Sequence, residues 1–179
     1  MQTNFGWPDE TMQQYNFTYN DIHNTICKAA KVIREQDYAP DYLLAIGGGG
    51  LIPARIMRTF INRPILTVAL SRYSDEIGTA PASTPIKLQW LETDINLAGK
   101  KILVVDEVDD ERTTLEYTLQ HLMETHPDAE FSAFVVHNKK KAKKGKLPEG
   151  MKHFFAGEEI EDYWINYAWD AENIDAFAQ

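Results

Sequence analysis

Residues 102–115, Ile102-Leu103-Val104-Val105-Asp106-Glu107-Val108-Asp109-Asp110-Glu111-Arg112-Thr113-Thr114-Leu115, decide how this chain folds. Four apolar β-formers in a row read as an interior strand of a parallel sheet, covered on both faces. The apolar run stops at Asp106 and Glu107, and from Leu115 the positions Leu119, Leu122 and Met123 recur at helical spacing. A short loop therefore joins a strand to a helix. Open parallel sheets bind ligands at the carboxyl ends of their strands, which makes this loop a candidate site.

The residue types in the loop specify a chemistry. Thr113 and Thr114 stand where the helix begins, so hydroxyls, unpaired N–H groups and the positive end of the helix dipole meet there as a phosphate cradle. Asp106 and Glu107 are acceptors and cannot hold a bare phosphate. They suit sugar hydroxyls, or a magnesium ion shared with substrate oxygens. Asp109 and Asp110 lie between, and either is placed to act as a general base. Phosphate, diol and metal-bound leaving group together describe a phosphorylated ribose.

The stretch resembles the phosphoribosyl-diphosphate (PRPP) signature of the type I phosphoribosyltransferases: an apolar strand, two acids, a short spacer and a Thr-containing phosphate loop. The resemblance implies that Asp106 and Glu107 address the ribose hydroxyls and Mg²⁺, and that Asp110 is the catalytic acid/base beside the purine N7. It assigns Asp110, Glu111, Arg112, Thr113 and Thr114 to the 5′-phosphate. The family usually has Thr-Gly where this chain has Glu111-Arg112. Arg112 can add a charge-assisted phosphate contact, whereas Glu111 beside a phosphate is unfavourable unless its side chain turns away.

A second segment carries Leu43-Leu44-Ala45-Ile46 as an interior strand, then Gly47 to Gly50, then a helix opening at Leu51-Ile52-Pro53. Glycines allow backbone angles closed to other residues and let N–H groups approach an anion closely. By itself the run reads equally as a tight turn, and it has neither Rossmann nor P-loop spacing. It resembles the family's pyrophosphate loop, formed here by Gly47, Gly48, Gly49 and Gly50 with Arg72. Relatives often place Lys or Arg at the position of Gly48, so backbone donors must carry more of the binding here.

A third segment, Asp162 to Asp170, resembles the base-binding strand of the 6-oxopurine members. By that likeness Trp164 stacks on the purine, the Ile165 backbone meets its edge, and Asp170 lies near the metal and pyrophosphate. Without it, Trp164 and Trp169 read as core aromatics. Lys139, closing the strand Phe134-Val135-Val136-His137-Asn138-Lys139, matches the lysine that donates to O6, with Lys140 as the alternative. The lysines beyond, to Lys146, read as a solvated loop.

Composition sets bounds. A chain of 179 residues, 44% hydrophobic, suits one well-buried domain. Its net charge of −9 argues against nucleic-acid partners. One cysteine, Cys27, excludes an internal disulfide and reads as half-buried on a helix patterned Ile22, Ile26, Ala29, Ile33. Thr18 with Asp21 forms a capping-box start for that helix. The histidines show no metal spacing, and His121 and His126 read as surface. No apolar run reaches membrane length and Met1 to Glu10 lacks a signal layout, so a cytoplasmic protein without membrane partners is expected. Residues 71–90, polar and rich in Ser, Thr and Pro, are expected to be disordered or a lid that closes over the site.

The expectation is an α/β fold of the type I phosphoribosyltransferase kind, a parallel sheet flanked by helices. Residues 1–179 form a single domain, with a core over about 18–140 and a small hood from the N-terminal segment and about 150–179. The implied activity is purine salvage, transfer of the phosphoribosyl group from PRPP to N9 of hypoxanthine, guanine or xanthine. Mg²⁺ is the implied cofactor. Relatives are commonly dimers or tetramers, so a homo-oligomer is expected. The alternatives are a non-enzymatic PRPP-sensing regulator of the same fold, or an enzyme for another nucleobase.

Overall fold

The structure is a computed structural model that describes residues 13–73, 81–91 and 95–178, without the side chains of 72, 73 and 81–83. In chain order it has β1 (Gln14–Phe17), α1 (Tyr19–Glu35), β2 (Tyr42–Gly47), α2 (Leu51–Ile61), β3 (Ile65–Tyr73) and β4 (Pro81–Gln89). There follow β5 (Lys101–Asp109), α3 (Thr113–Thr125), β6 (Glu130–Lys139), β7 (Phe154–Ile160) and β8 (Trp164–Tyr167). Six strands form one sheet in the order β4-β3-β2-β5-β6-β7. All neighbours run parallel except β3 and β4.

The helices lie on both faces, as the apolar strands require. Ile22, Ile26, Ala29, Ala30 and Ile33 of α1 join Ala54 and Met57 of α2 against Leu43, Ala45, Leu103 and Val105 on one face. On the other face Leu115, Leu119 and Leu122 of α3 cover Leu44, Ile102, Val104 and Val135. Each such side chain taken from water stabilises the fold by roughly 1.5–3 kcal/mol before chain entropy is subtracted. α1 starts where Thr18 accepts from the Asp21 N–H while the Asp21 carboxylate accepts from the Thr18 N–H, the reciprocal box read from sequence.

Strand order reverses between β2 and β5: β2 passes to β3 on one side, and β5 passes to β6 on the other. The connections after these two central strands consequently leave toward opposite faces and open a crevice between them. That crevice lies between the glycine run and the acidic loop. A second, two-stranded parallel sheet pairs Gln14 to Phe17 with Trp164 to Tyr167.

Two local expectations are corrected. β5 does not stop at Asp106 and Glu107 but continues to Asp109, because its ladder with β6 runs on through Val108 beside His137 and Asp109 beside Asn138. The segment 71–90 is not wholly loop. Its described ends are strand, with Ser71 paired to Ile86 and Tyr73 to Pro81 in an antiparallel ladder carrying two irregularities. Backbone pairing to β3 satisfies a sequence that has no apolar run of its own.

Candidate active site at the carboxyl ends of the central strands

Ile46 and Gly47 to Gly49 from the end of β2, Leu70 from β3 and residues 106–115 line one cavity of about 240 Å³. The glycine run and the acidic loop thus meet across the switch point. Their fit explains two glycines. A Cβ on Gly49 would collide with the Glu107 carboxylate, and one on Gly50 would strike the carbonyl oxygens of Val105 and Ile46. None of the four takes a positive φ, so close approach, not backbone freedom, is what demands glycine here. The Gly47–Gly48 peptide is cis. Gly50 lies outside the cavity wall and caps α2. Arg72 belongs to β3 by its backbone, and its side chain lies outside the described residues.

Asp106 is 7% exposed, and its carboxyl is held well above the usual carboxylate range, first by burial and then by the charge of Glu107 beside it. Glu107 Oε2 is buried without a hydrogen-bond partner among the described residues. Two adjacent, desolvated carboxylates with an oxygen left over are a donor set that suits magnesium, which takes one or two protein carboxylates and completes its shell with water and substrate oxygens. Among the described residues no three acidic, His or Cys side chains converge.

The phosphate loop differs from expectation in detail. Asp109 is fully buried and its Oδ2 accepts from both Nε and Nη2 of Arg112, at 2.8 and 2.6 Å, with Lys143 Nζ 3.6 Å away. That engagement commits one Asp109 oxygen and the Arg112 guanidinium to each other at the cavity wall. Arg112 sits at φ 67, the left-handed region that explains why relatives place glycine there. The Glu111 side chain does turn away, onto Lys144 Nζ at 2.6 Å. Thr113 and Thr114 open α3 as read, and both line the cavity.

Asp110 keeps a partly exposed carboxylate, with Oδ1 3.4 Å from Lys139 Nζ and 3.0 Å from Lys141 Nζ. Both ammonium groups also reach Asp162, at 3.4 and 2.9 Å. The Lys141 contact holds the Asp162 carboxyl below the usual range, while Lys141 itself is raised chiefly by that same bond. Lys139 and Lys140 point in different directions. Lys139 is 9% exposed and points at Asp110, whereas Lys140 is 53% exposed and pairs with Glu161.

Trp164, Ile165 and Asp170 do not line the first cavity. They line a neighbouring one of about 630 Å³, together with Gln14, Asn16 and Tyr167. Tyr167 ties the two together, because its hydroxyl donates to the Glu107 carbonyl at 3.1 Å. Asp170 also senses Glu107, its carboxyl raised by burial and then by that charge.

Sequence reasoning overlooked His137, Tyr167, Lys141 and Lys143. His137 is fully buried, stacks on Tyr167 and contacts its hydroxyl at 2.8 Å, and burial lowers its pKa to about 4. A histidine directly after the apolar run Phe134-Val135-Val136 was the signal available for it. The lysines carried none, because their partners are some 30 positions away.

Residues 18–172 match the model of the phosphoribosyl transferase domain. The hypoxanthine-guanine phosphoribosyltransferase of Schizosaccharomyces pombe is 39% identical over 89% of this chain and 90% of its own length. Xanthine phosphoribosyltransferase 1 of Saccharomyces cerevisiae is 37% identical over 88% of this chain and 90% of its own. A crystal structure of a Neisseria gonorrhoeae protein with bound ppGpp superposes with a TM-score of 0.85 at 43% identity, covering 94% of this chain and 96% of that one. With its parallel sheet, its switch-point cavity and its paired acids between a glycine run and a threonine cradle, this chain belongs to the phosphoribosyltransferase family, in its 6-oxopurine branch.

Proposed function

We propose that the protein transfers the 5-phosphoribosyl group of PRPP to N9 of a 6-oxopurine, hypoxanthine, guanine or xanthine, yielding the nucleoside 5′-monophosphate and pyrophosphate. The observation that carries this reading is the placement of Asp106 and Glu107 in one cavity, with the glycine run on one side and the threonine cradle on the other. These three parts match the diol, the diphosphate and the 5′-phosphate of one molecule.

In this reading residues 110–114 hold the 5′-phosphate, Gly47 to Gly50 and Arg72 the pyrophosphate, and Asp106 and Glu107 the ribose hydroxyls and the metal, with Asp170 nearby. Bound magnesium would neutralise charge on the departing pyrophosphate. The bond from C1′ to the pyrophosphate oxygen breaks as the bond to purine N9 forms, and the purine proton passes to Asp110. Positive charge developing on the ribose is stabilised by the desolvated carboxylates beneath it, whose field is stronger for being out of water.

Lys139 and Asp110, 3.4 Å apart, offer a donor and a proton acceptor side by side. O6 and N7 are neighbours on the edge of an oxopurine, and a lysine donor pairs with an oxo group and not with the amino group of adenine. Trp164 supplies a stacking face and Ile165 its backbone. The two-stranded sheet that carries them is the hood of a single domain, with its core over about 18–140. A homo-oligomer, dimer or tetramer, belongs to this reading and is supported by the exposed Ile86 and Leu88 on edge strand β4. So does a cytoplasmic location; among the described residues no helix is long and apolar enough to cross a membrane.

The Neisseria relative holds ppGpp, which unites a guanine, a ribose and phosphoryl groups. We extend the reading accordingly: a guanine nucleotide of that kind competes with PRPP in this cavity.

The test is turnover of purified protein with magnesium, PRPP and each of hypoxanthine, guanine, xanthine and adenine, with pyrophosphate release measured. Turnover with at least one oxopurine and none with adenine is expected. No release with any oxopurine, or a preference for adenine, overturns the reading.

A further inference from the structure

The lysine segment after β6 does more than solvate a loop. Lys143 Nζ donates to the carbonyl oxygens of Asp109 at 2.6 Å and Asp110 at 3.0 Å. The backbone N–H groups of Lys144 and Gly145 both donate to the Glu111 carbonyl, at 3.1 and 3.0 Å. Three consecutive carbonyl groups of the phosphate loop are therefore turned toward one segment. The contact is tight enough that a Cβ on Gly145 would press on the Arg112 carbonyl. Lys143 is only 12% exposed at its side chain, and burial lowers its pKa against the pull of Asp109.

In a trans peptide the N–H points opposite to the C=O. The N–H groups of Asp110, Glu111 and Arg112, which share peptides with those three carbonyls, consequently face away from the lysines. Residues 109–114 line the cavity, whereas residues 143–146, which bond the loop's carbonyls, do not, so this part of the segment stands behind the loop. Successive N–H groups turned to one side form an anion-binding nest. Glycine would take the left-handed φ of position 112 without strain. Here Arg112 occupies it, with Glu111 beside it, and the lysine segment supplies the restraint from outside.

We propose that Lys143 is a positioning residue for the 5′-phosphate: by holding the Asp109 and Asp110 carbonyls it keeps the loop's N–H groups aimed at the phosphoryl oxygens of PRPP. This rests on the proposed function of the same cavity. Lys143 itself touches no substrate.

The experiment compares wild type, Lys143→Met and Lys143→Arg in steady-state kinetics and in calorimetry with ribose 5-phosphate and with magnesium pyrophosphate. Lys143→Met is expected to raise the KM for PRPP and the Kd for ribose 5-phosphate roughly tenfold, the loss of about one charge-assisted hydrogen bond. The KM for the purine and the Kd for pyrophosphate stay within about twofold by the same reasoning, since their contacts lie elsewhere. Lys143→Arg, which keeps the cationic donor, recovers most of the loss. Should Lys143→Met not fold, Gly145→Ala, which pushes the segment against Arg112, is expected to give the same selective weakening. Unchanged PRPP and ribose 5-phosphate affinities, or a uniform loss across all four ligands, overturn the proposal. Wild-type protein that turns over no PRPP sinks the parent reading instead, so the two failures are distinguishable.

Discussion

His137 Nδ1 lies 2.8 Å from the Tyr167 hydroxyl, and the direction of that bond is determined by what the hydroxyl does next. Its single proton goes to the Glu107 carbonyl, so it must accept from His137, which makes the imidazole a neutral Nδ1–H tautomer with Nε2 bare. A chain of two hydrogen bonds thereby anchors the backbone of Glu107 to the aromatic strand.

The neutral imidazole has a signature in the pH dependence of stability. Burial brings the folded-state pKa to about 4 from an unfolded value of 6.5. Between those limits the unfolded chain binds the proton and the native one does not, so stability is full above pH 6.5 and is lost as pH falls toward 4. The loss from this group is about 3 kcal/mol. Denaturant titrations across that window should show a clearly flatter profile for His137→Gln than for wild type; parallel profiles would contradict the assignment.

Asp110→Asn keeps the size and most contacts of a partly exposed side chain but cannot take the purine proton. Turnover is expected to fall by roughly 10²–10⁴-fold while PRPP affinity changes little. Stopped-flow or steady-state rates at saturating PRPP provide the measurement, and a variant with full turnover would remove Asp110 from the reaction.

Arg112→Gly sets two effects against each other. Relief of the left-handed backbone is worth roughly 1–2 kcal/mol, whereas loss of a partner for the buried Asp109 carboxylate costs about 3–5 kcal/mol. The second is larger, so the variant unfolds at lower urea concentration. In an Asp109→Asn background the same substitution should cost less or become neutral, and a double-mutant cycle by urea titration would measure the coupling.

Gly49→Ala and Gly50→Ala should part company. The first methyl meets the movable end of Glu107, so the fold survives while magnesium-dependent PRPP binding drops. The second meets two backbone carbonyls that cannot retreat and destabilises the fold by roughly 1–3 kcal/mol. Paired thermal melts and PRPP calorimetry distinguish them, and equal melting losses would undo the contrast.

Local sequence rules reached far in this molecule. Apolar runs announced β2, β5 and β6, the reciprocal Thr18 and Asp21 pair announced α1, and Thr113 announced α3, because each depends on neighbours within a few positions. The same rules ended β5 too early, since its last residues are strand only by pairing with Val108 and Asp109's partners on β6. They also left Lys141 and Lys143 in solvent. Lys143 finds Asp109 across 34 positions and Tyr167 finds Glu107 across 60, and no periodicity encodes such meetings. The departures at Glu111 and Arg112 are visible as anomalies in sequence; their compensation by Lys144, Lys143 and Asp109 arises only where the chain folds back on itself.

The ladder between β1 and β8 joins Asn16 to Asn166 across 150 positions, the longest loop any pair of strands here must close. Closure entropy grows with separation, and such contacts form after local ones have reduced the search. The wall bearing Trp164 is thus expected to set last during folding and to loosen first, with the crevice between β2 and β5 keeping its shape. Amide exchange should accordingly grade from slow at Val104 to fast at Ile165, a firm floor at the central strands beneath an aromatic wall that breathes.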